Sequence, residues 1–405
     1  MNCVKMKTTR TSLTAQVFNQ LAMALNIIRK SFKFRIYPTK QQKASLDNTL
    51  TLCRELYNAA LQERRDAYKF QRISISYKHQ ANQLNEIKTI RKDLKDVHSQ
   101  VLQDVLRRVD KAFQNFFRRV KTKQGKAGFP RFQGANRYDS FTYPQSGFSL
   151  TSNKLTLSKI GKVKIKLSQK ITGKVKTCTI KREIDKWFLI FSVETATKPL
   201  PKTNKQIGID VGIESFATLS DGTQIDNFKY FESTQKKLRV AQRLVSRRKK
   251  GSGNRRKAVL KLRKIHQKIK NQRADFQHKV STYLVKEYDL IAIEKLNISG
   301  MSKGILSKQV HDVAWSNFFK MLRYKAANAD KQLIEVNPRG TSQTCVCGKL
   351  NKKDLSVRWH LCSSCGLSIH RDHCSALVIL NRAVGQTVLD LTYATRQSVS
   401  KESAY

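Results

Sequence analysis

Three observations predict an α+β multidomain fold. Apolar residues recur at helical spacing in 41–70, 99–120 and 236–287, and short alternating apolar runs fill 138–194. Between the alternating runs and the last helical stretch, Ile207 to Leu219 reads as two apolar strands that enclose one carboxylate, Asp210. At 405 residues the length suits roughly two or three domains, each able to bury a core.

The elements follow in order. Met1 to Ile27 carries scattered Lys and Arg but no signal-peptide cleavage region, and is expected to be a disordered extension. No apolar run reaches the length of about 18 residues that a membrane-spanning helix needs, so no membrane partner is expected. Ser31 to Tyr37 alternates as a strand and Pro38 breaks it. Gln41 to Phe70 is a helix with Leu46, Leu50, Cys53, Tyr57 and Leu61 on one face. A second helix, Ser99 to Val120, carries an apolar stripe from Leu102 through Val109 and Phe113 to Phe117 and Val120, with Arg107, Arg108, Lys111, Arg118 and Arg119 mostly off it. This is a helical lobe with a basic face. The loop from Lys121 to Phe132 suits a phosphate backbone with base stacking on Phe129 or Phe132, and equally suits a structural loop with packed aromatics. The alternating runs Lys162–Leu167 and Trp187–Val193 indicate an antiparallel barrel or sheet that Ser31–Tyr37 would join, which makes the helical lobe an insertion. Thr195 to Asn204 reads as a polar linker.

In the second half, Ile207, Ile209, Val211 and Ile213 mark a buried strand, Gly208 and Gly212 permit close backbone approach, and Phe216 to Leu219 leads to the turn Ser220-Asp221-Gly222. A carboxylate in such a strand is costly unless it has a partner. On the first strand of a hairpin it is a metal ligand in the RNase H fold, and a two-metal phosphodiester site needs further acids. Glu294 ends the apolar run Tyr288–Glu294, and Asp372 precedes the helix-like Ser375–Ala383. Each acid has a plainer reading: Asp210 as a turn former, Glu294 as a partner of Lys295, Asp372 as a helix N-cap. Lys236–Lys250 and Arg255–Glu287 read as helices separated by Gly251–Asn254, the second with a core stripe of Leu262, Ile265, Ile269, Phe276, Val280 and Tyr283. Arg273 and His278 are polar groups near that core face.

The chain has 79 Lys and Arg against 29 Asp and Glu, a net charge of +50, which calls for a polyanionic partner. Its eight cysteines, at 3, 53, 178, 345, 347, 362, 365 and 374, crowd toward one end, which argues for a reducing compartment and a metal site rather than a disulfide framework. Cys362-Ser-Ser-Cys365 is a zinc knuckle, and Cys345-Val-Cys347 supplies a second, shorter pair. Cys374 or His360 could replace a badly placed thiolate. The alternative is a set of small buried cysteines in a degenerate ribbon.

The segments Ile207–Gly212, Ile291–Asn297 and His370–Ala376, with the cysteine set between the last two, resemble the RuvC motifs of TnpB proteins, transposon-encoded relatives of type V CRISPR effectors. Ile28–Gln42, Gly128–Phe132, Val245–Asn254, Asn271–Thr282 and Thr341–Cys345 resemble family segments too. The resemblance implies a RuvC/RNase H-like nuclease (201–338 and 367–385) with an inserted zinc ribbon (339–366), a wedge β-barrel (28–40 and 136–200), a helical recognition lobe (41–135) and a flexible tail (386–405). It implies an RNA-guided DNA endonuclease that binds a guide RNA from the transposon right end, recognises a double-stranded DNA target beside a short motif, and acts as a monomer with its RNA in the bacterial cytoplasm at the nucleoid. Asp210, Glu294 and Asp372 would be the catalytic residues, holding two magnesium or manganese ions, and Cys345, Cys347, Cys362 and Cys365 one zinc. Nucleic-acid contacts are expected at Arg118, Arg119, Lys121, Lys123, Lys126, Phe129, Arg131, Phe132, Arg247, Arg248 and Arg273. After the third acid the family usually has Asn-Ala-Ala and a second Asn, where this chain has Cys374-Ser375-Ala376 and Val378. Competing readings are an acidic-triad transposase, an RNA-guided repressor, which would be expected to have lost an acid, and a decaying transposon copy.

Overall fold

The computed structural model describes residues 27–385 apart from 124–126, 136, 229, 302, 303, 305, 306, 353, 355 and 356. The expected N-terminal extension, except Ile27, and the expected tail lie outside the described residues, as does Lys126. The chain forms two compact units, divided after Ala196.

The first unit runs β1 (Ile27–Tyr37), α1 (Lys40–Gln71), α2 (Tyr77–Asn82), α3 (Leu84–Ile90), α4 (Ser99–Thr122), β2 (Ser140–Tyr143), β3 (Phe148–Thr151), β4 (Lys154–Leu157), β5 (Gly161–Lys166), β6 (Lys174–Glu183) and β7 (Lys186–Ala196). Its strands form one antiparallel sheet in the order β2-β6-β7-β1-β5-β4-β3. β1 pairs with β7 over most of its length and with β5 at Arg35–Tyr37, so the first strand sits at the centre. The rings of Tyr143 on β2 and Phe148 on β3, the two outer strands, approach to 6.5 Å. Thr39 closes a capping box with Gln42 at the start of α1, and Gln42 Nε2 donates to the Lys162 carbonyl at 2.8 Å, fixing the helix to β5. Leu46, Leu50, Cys53, Tyr57 and Leu61 are buried, as their spacing predicts. Helices and sheet share a single apolar core.

Two expectations for α4 need correction. Its stripe is buried only from Val101 to Val109, whereas Phe117 and Val120 are exposed, because the helix outruns the core it packs on. Arg108 does not stand on a solvated face. It donates to Asp104 at 2.8 Å, to the Ser140 carbonyl at 2.7 Å and to Thr142 Oγ1 at 2.8 Å, and so ties α4 to β2.

The second unit runs β8 (Gln206–Asp210), β9 (Ser215–Leu219), β10 (Gln224–Asp226), α5 (Tyr230–Arg247), α6 (Gly253–Glu287), β11 (Leu290–Glu294), α7 (Ile298–Met301), α8 (Ser307–Val313), α9 (Trp315–Ala329), β12 (Gln332–Val336), β13 (Trp359–Leu361), β14 (Ser368–His370) and α10 (Arg371–Val384). Its main sheet has the order β10-β9-β8-β11-β12, with β8, β11 and β12 parallel and β9 and β10 added by antiparallel turns. The inner parallel strands β8 and β11 are apolar on both faces because helices cover both. Asp289 gathers their entry points: its carboxylate accepts from the Thr203 and Asn204 N–H groups at 2.9 and 2.8 Å and pairs with Lys331, which also donates to the Pro201 carbonyl at 2.6 Å.

The buried side of α6 is not the predicted stripe throughout. Ile269 is buried, but Tyr283 is 50% exposed and the core is instead completed by Gln277, Ser281, Leu284 and Val285. Gln277 tolerates burial because its Nε2 donates to the Val313 carbonyl at 2.8 Å. His278 lies on the exposed side of α6 rather than near its core face.

Candidate catalytic and metal sites

Asp210 and Glu294 are the last residues of β8 and β11, adjacent parallel strands in which Ile209 pairs with Ile293. Both carboxylates therefore emerge from the same end of the sheet. Asp372 comes to them on the first turn of α10, whose backbone rests directly on β8: a Cβ at Gly208 would lie 2.1 Å from the Ala376 carbonyl oxygen. Only a glycine permits that approach. The turn after β9 is held by the same helix, with His373 Nε2 3.1 Å from the Ser220 carbonyl oxygen.

The acids act on one another electrostatically. Burial, followed by repulsion from Glu294 and then Asp372, drives the Asp210 carboxyl well above the usual carboxylate range, and the Arg371 guanidinium offsets this in part. Burial also raises Glu294, against the opposing hydrogen bond from Thr341 and the charge of Arg382. Arg371 Nε sits 3.2 Å from Asp372 Oδ1. A buried carboxylate whose proton affinity is raised by two neighbouring acids at the mouth of a sheet fits a hard divalent cation, whose charge would replace the proton.

The plainer readings fare differently. His370, not Asp372, caps α10, its Nδ1 accepting from the Asp372 N–H at 3.3 Å. Lys295 is exposed, and the Glu294 carboxylate accepts from the Thr341 hydroxyl instead. The contact of Thr341 with Glu294 was not readable from the sequence, since a threonine in a polar stretch carries no signal of what lies beside it in space.

The sulfurs of Cys345, Cys347, Cys362 and Cys365 lie within 4.8 Å of one another. Cys345 to Cys365 is 3.6 Å and Cys347 to Cys362 is 3.8 Å. Thiolates bound tetrahedrally at about 2.3 Å stand about 3.8 Å apart, so the four sulfurs fit one zinc ion. The short Cys345-Val346-Cys347 chelate closes through a tight turn in which the Gly348 N–H donates to the Cys345 carbonyl at 2.9 Å, with Gly348 at φ +86°. Burial raises the Cys362 thiol, but N–H groups of Cys365 and Ser364 pull it down to about 6, which favours a thiolate. A second group, Cys345, His360 and Cys374, also meets within 4.8 Å, and all three are buried.

The expected nucleic-acid contacts are spread over both units. Lys121, Lys123, Arg131, Arg247 and Arg248 are exposed. Arg118, exposed, donates to Asn115 at 3.3 Å, and Arg119, half-buried, to the Gly128 carbonyl at 3.2 Å. Phe129 packs edge-on against Phe113 and Phe116 at 5.5 and 5.3 Å, so its ring helps close the end of α4. Phe132 lies under the Arg65 guanidinium at 5.4 Å. Arg273 is ion-paired with Asp312 at 2.7 Å and joins α6 to α8, as a structural support would.

A family profile described as "Probable transposase" matches residues 190–304, one described as "Cas12f1-like, TNB domain" matches 315–379, and one described as "Helix-turn-helix domain" matches 23–72. The described part of that last stretch is one strand followed by one long helix, β1 and α1. A Streptomyces pristinaespiralis protein named "Putative RNA-guided DNA endonuclease" is 35% identical over 364 residues, covering 87% of this chain and 89% of the relative. The Escherichia coli K12 protein "Putative RNA-guided DNA endonuclease InsQ" is 33% identical over 383 residues, covering 89% and 93%. A cryo-EM structure of a Cas12f1–sgRNA–target DNA complex aligns over 87% of this chain and 99% of its own, at 17% identity and a TM-score of 0.34. The extent and level of identity to the two bacterial proteins, together with the transposase profile across β8 to β11, place this chain in the TnpB (OrfB) family of transposon-encoded proteins.

Proposed function

We infer that this protein is the RNA-guided DNA endonuclease of an insertion sequence, cutting phosphodiesters at Asp210, Glu294 and Asp372. The observation that carries this reading is the convergence of the three acids at the carboxyl end of β8 and β11, on a five-stranded sheet of order β10-β9-β8-β11-β12, which supports an RNase H-like, RuvC-type reading. The three carboxylates would hold two magnesium or manganese ions. Bound there, the ions would supply an activated water and neutralise charge on the phosphate under attack. The chain's own part is positional: Thr341 fixes the rotamer of Glu294, the contact of α10 on Gly208 sets the place of Asp372, and Arg371 moderates the negative charge. The four ribbon cysteines would hold zinc. Basic side chains spread through both units would hold guide RNA and duplex target, with sequence read by base pairing. We place the guide at the transposon right end, the protein as a monomer with that RNA, and its work at the bacterial nucleoid. Retention of all three acids favours a nuclease over a repressor.

Alanine at Asp210, Glu294 or Asp372 is expected to lower magnesium-dependent cleavage on the order of a thousand-fold, a few kcal/mol of lost transition-state stabilisation, with guide RNA binding unchanged. A variant that cuts at the parental rate would remove that acid from the metal site.

A further inference from the structure

Five cysteine sulfurs gather in one part of the second unit, and the ribbon uses only four. The fifth belongs to Cys374, in the first turn of α10 and two residues beyond Asp372. It is 2% exposed, and His360, on β13, is fully buried. The Cys374 sulfur, a ring nitrogen of His360 and the Cys345 sulfur all lie within 4.8 Å of one another. Cys345 thus belongs to two ligand groups in one conformation. An imidazole and two thiols buried together are the donor chemistry of zinc-like cations, which prefer nitrogen and sulfur to the oxygens that suit magnesium.

We propose that Cys345, His360 and Cys374 form a second zinc-type site, with Cys345 as the thiolate shared between its ion and the ribbon's ion. The Thr344 carbonyl oxygen, which accepts from the Cys374 thiol at 3.8 Å, would offer a ligand for the remaining position. This site would pin the first turn of α10 to the ribbon. It is independent of whether the three acids cut DNA.

The test is metal content of the full-length protein, expressed in zinc-replete and in cobalt-replete medium and counted by elemental mass spectrometry after dialysis. The parent should hold about two transition-metal ions per chain, and Cys374→Ser and His360→Gln about one each, with the cobalt forms losing the absorption of one site but not the other. One ion in the parent, or two in either variant, would overturn the proposal. If both variants fail to fold, the parental count alone decides, since a single ion leaves nothing for the second group to hold.

Discussion

Thr341 donates its hydroxyl hydrogen to Glu294 from a position four residues before Cys345, so one side chain links the proposed catalytic carboxylate to the start of the ribbon. Replacing it with valine keeps the shape and removes the donor. Leaving a buried carboxylate one hydrogen bond short costs about 1–3 kcal/mol, so Thr341→Val should slow cleavage on the order of ten- to a hundred-fold while Thr341→Ser restores most of the rate. Single-turnover kinetics at saturating guide and target would measure it, and equal rates for valine and parent would show that Glu294 is positioned by other contacts. At this scale the acids were legible and their partners were not. Asp210 and Glu294 stand out because a charge in an apolar strand is anomalous in one dimension. Arg273 was visible as a polar group near the core face and Thr341 only as part of a family-like segment, but their partners Asp312 and Glu294, like the burial of Gln277, depend on which segments meet in space.

Among the elements, β8 is the one on which the others are registered. Gly208 lets α10 touch its backbone, a role readable in advance from a glycine inside an apolar strand. Gly208→Ala would force the helix away, and overpacking of this kind costs about 1–3 kcal/mol. Urea unfolding should show that loss together with reduced cleavage, whereas Gly253→Ala, where an added Cβ meets open space, should change neither. The other end of the same strands is held by Asp289. The hydrogen bond from Lys331, and then those from the Asn204 and Thr203 N–H groups, hold its carboxyl at about 2, below the usual 3.8, although burial opposes them. A carboxylate depressed in the folded state adds stability that is fully present above the unfolded value and is lost as pH falls from about 4 through about 2. Asp289→Asn should therefore be less stable than the parent at neutral pH, with the gap closing across that acid window. A constant gap from pH 6 to pH 2 would mean that the clamp works through shape and not charge. β12 was not legible, because Gln332-Leu-Ile-Glu-Val336 mixes polar and apolar residues at the sheet margin, where one neighbour suffices. The outer half of the α4 stripe was legible as helix and misread as core, since periodicity reports a face and not what covers it.

For the whole molecule, a net charge of +50 ensures that DNA binds without any guide. Such binding should weaken steeply with salt as condensed counterions cease to gain entropy on release. Discrimination by base pairing should persist, because a mismatch beside the target-adjacent motif stops heteroduplex nucleation whatever the bulk charge. Cleavage of matched and seed-mismatched duplexes at rising salt, with protein copurified with its own RNA, separates the two contributions. Equal cutting of both duplexes, or undiminished cutting after the RNA is removed, would exclude guided recognition. The strand order has a further effect, in time. Asp210 and Asp372 meet in space although about 160 residues of chain lie between them, and at roughly 5–20 residues per second a ribosome needs about 8–30 s to pass from one to the other. The first unit is synthesised before either acid exists. A nascent or prematurely ended chain that stops between Glu294 and Arg371 thus offers basic surface with two acids and no third, and the cell meets a binder before it meets a cutter.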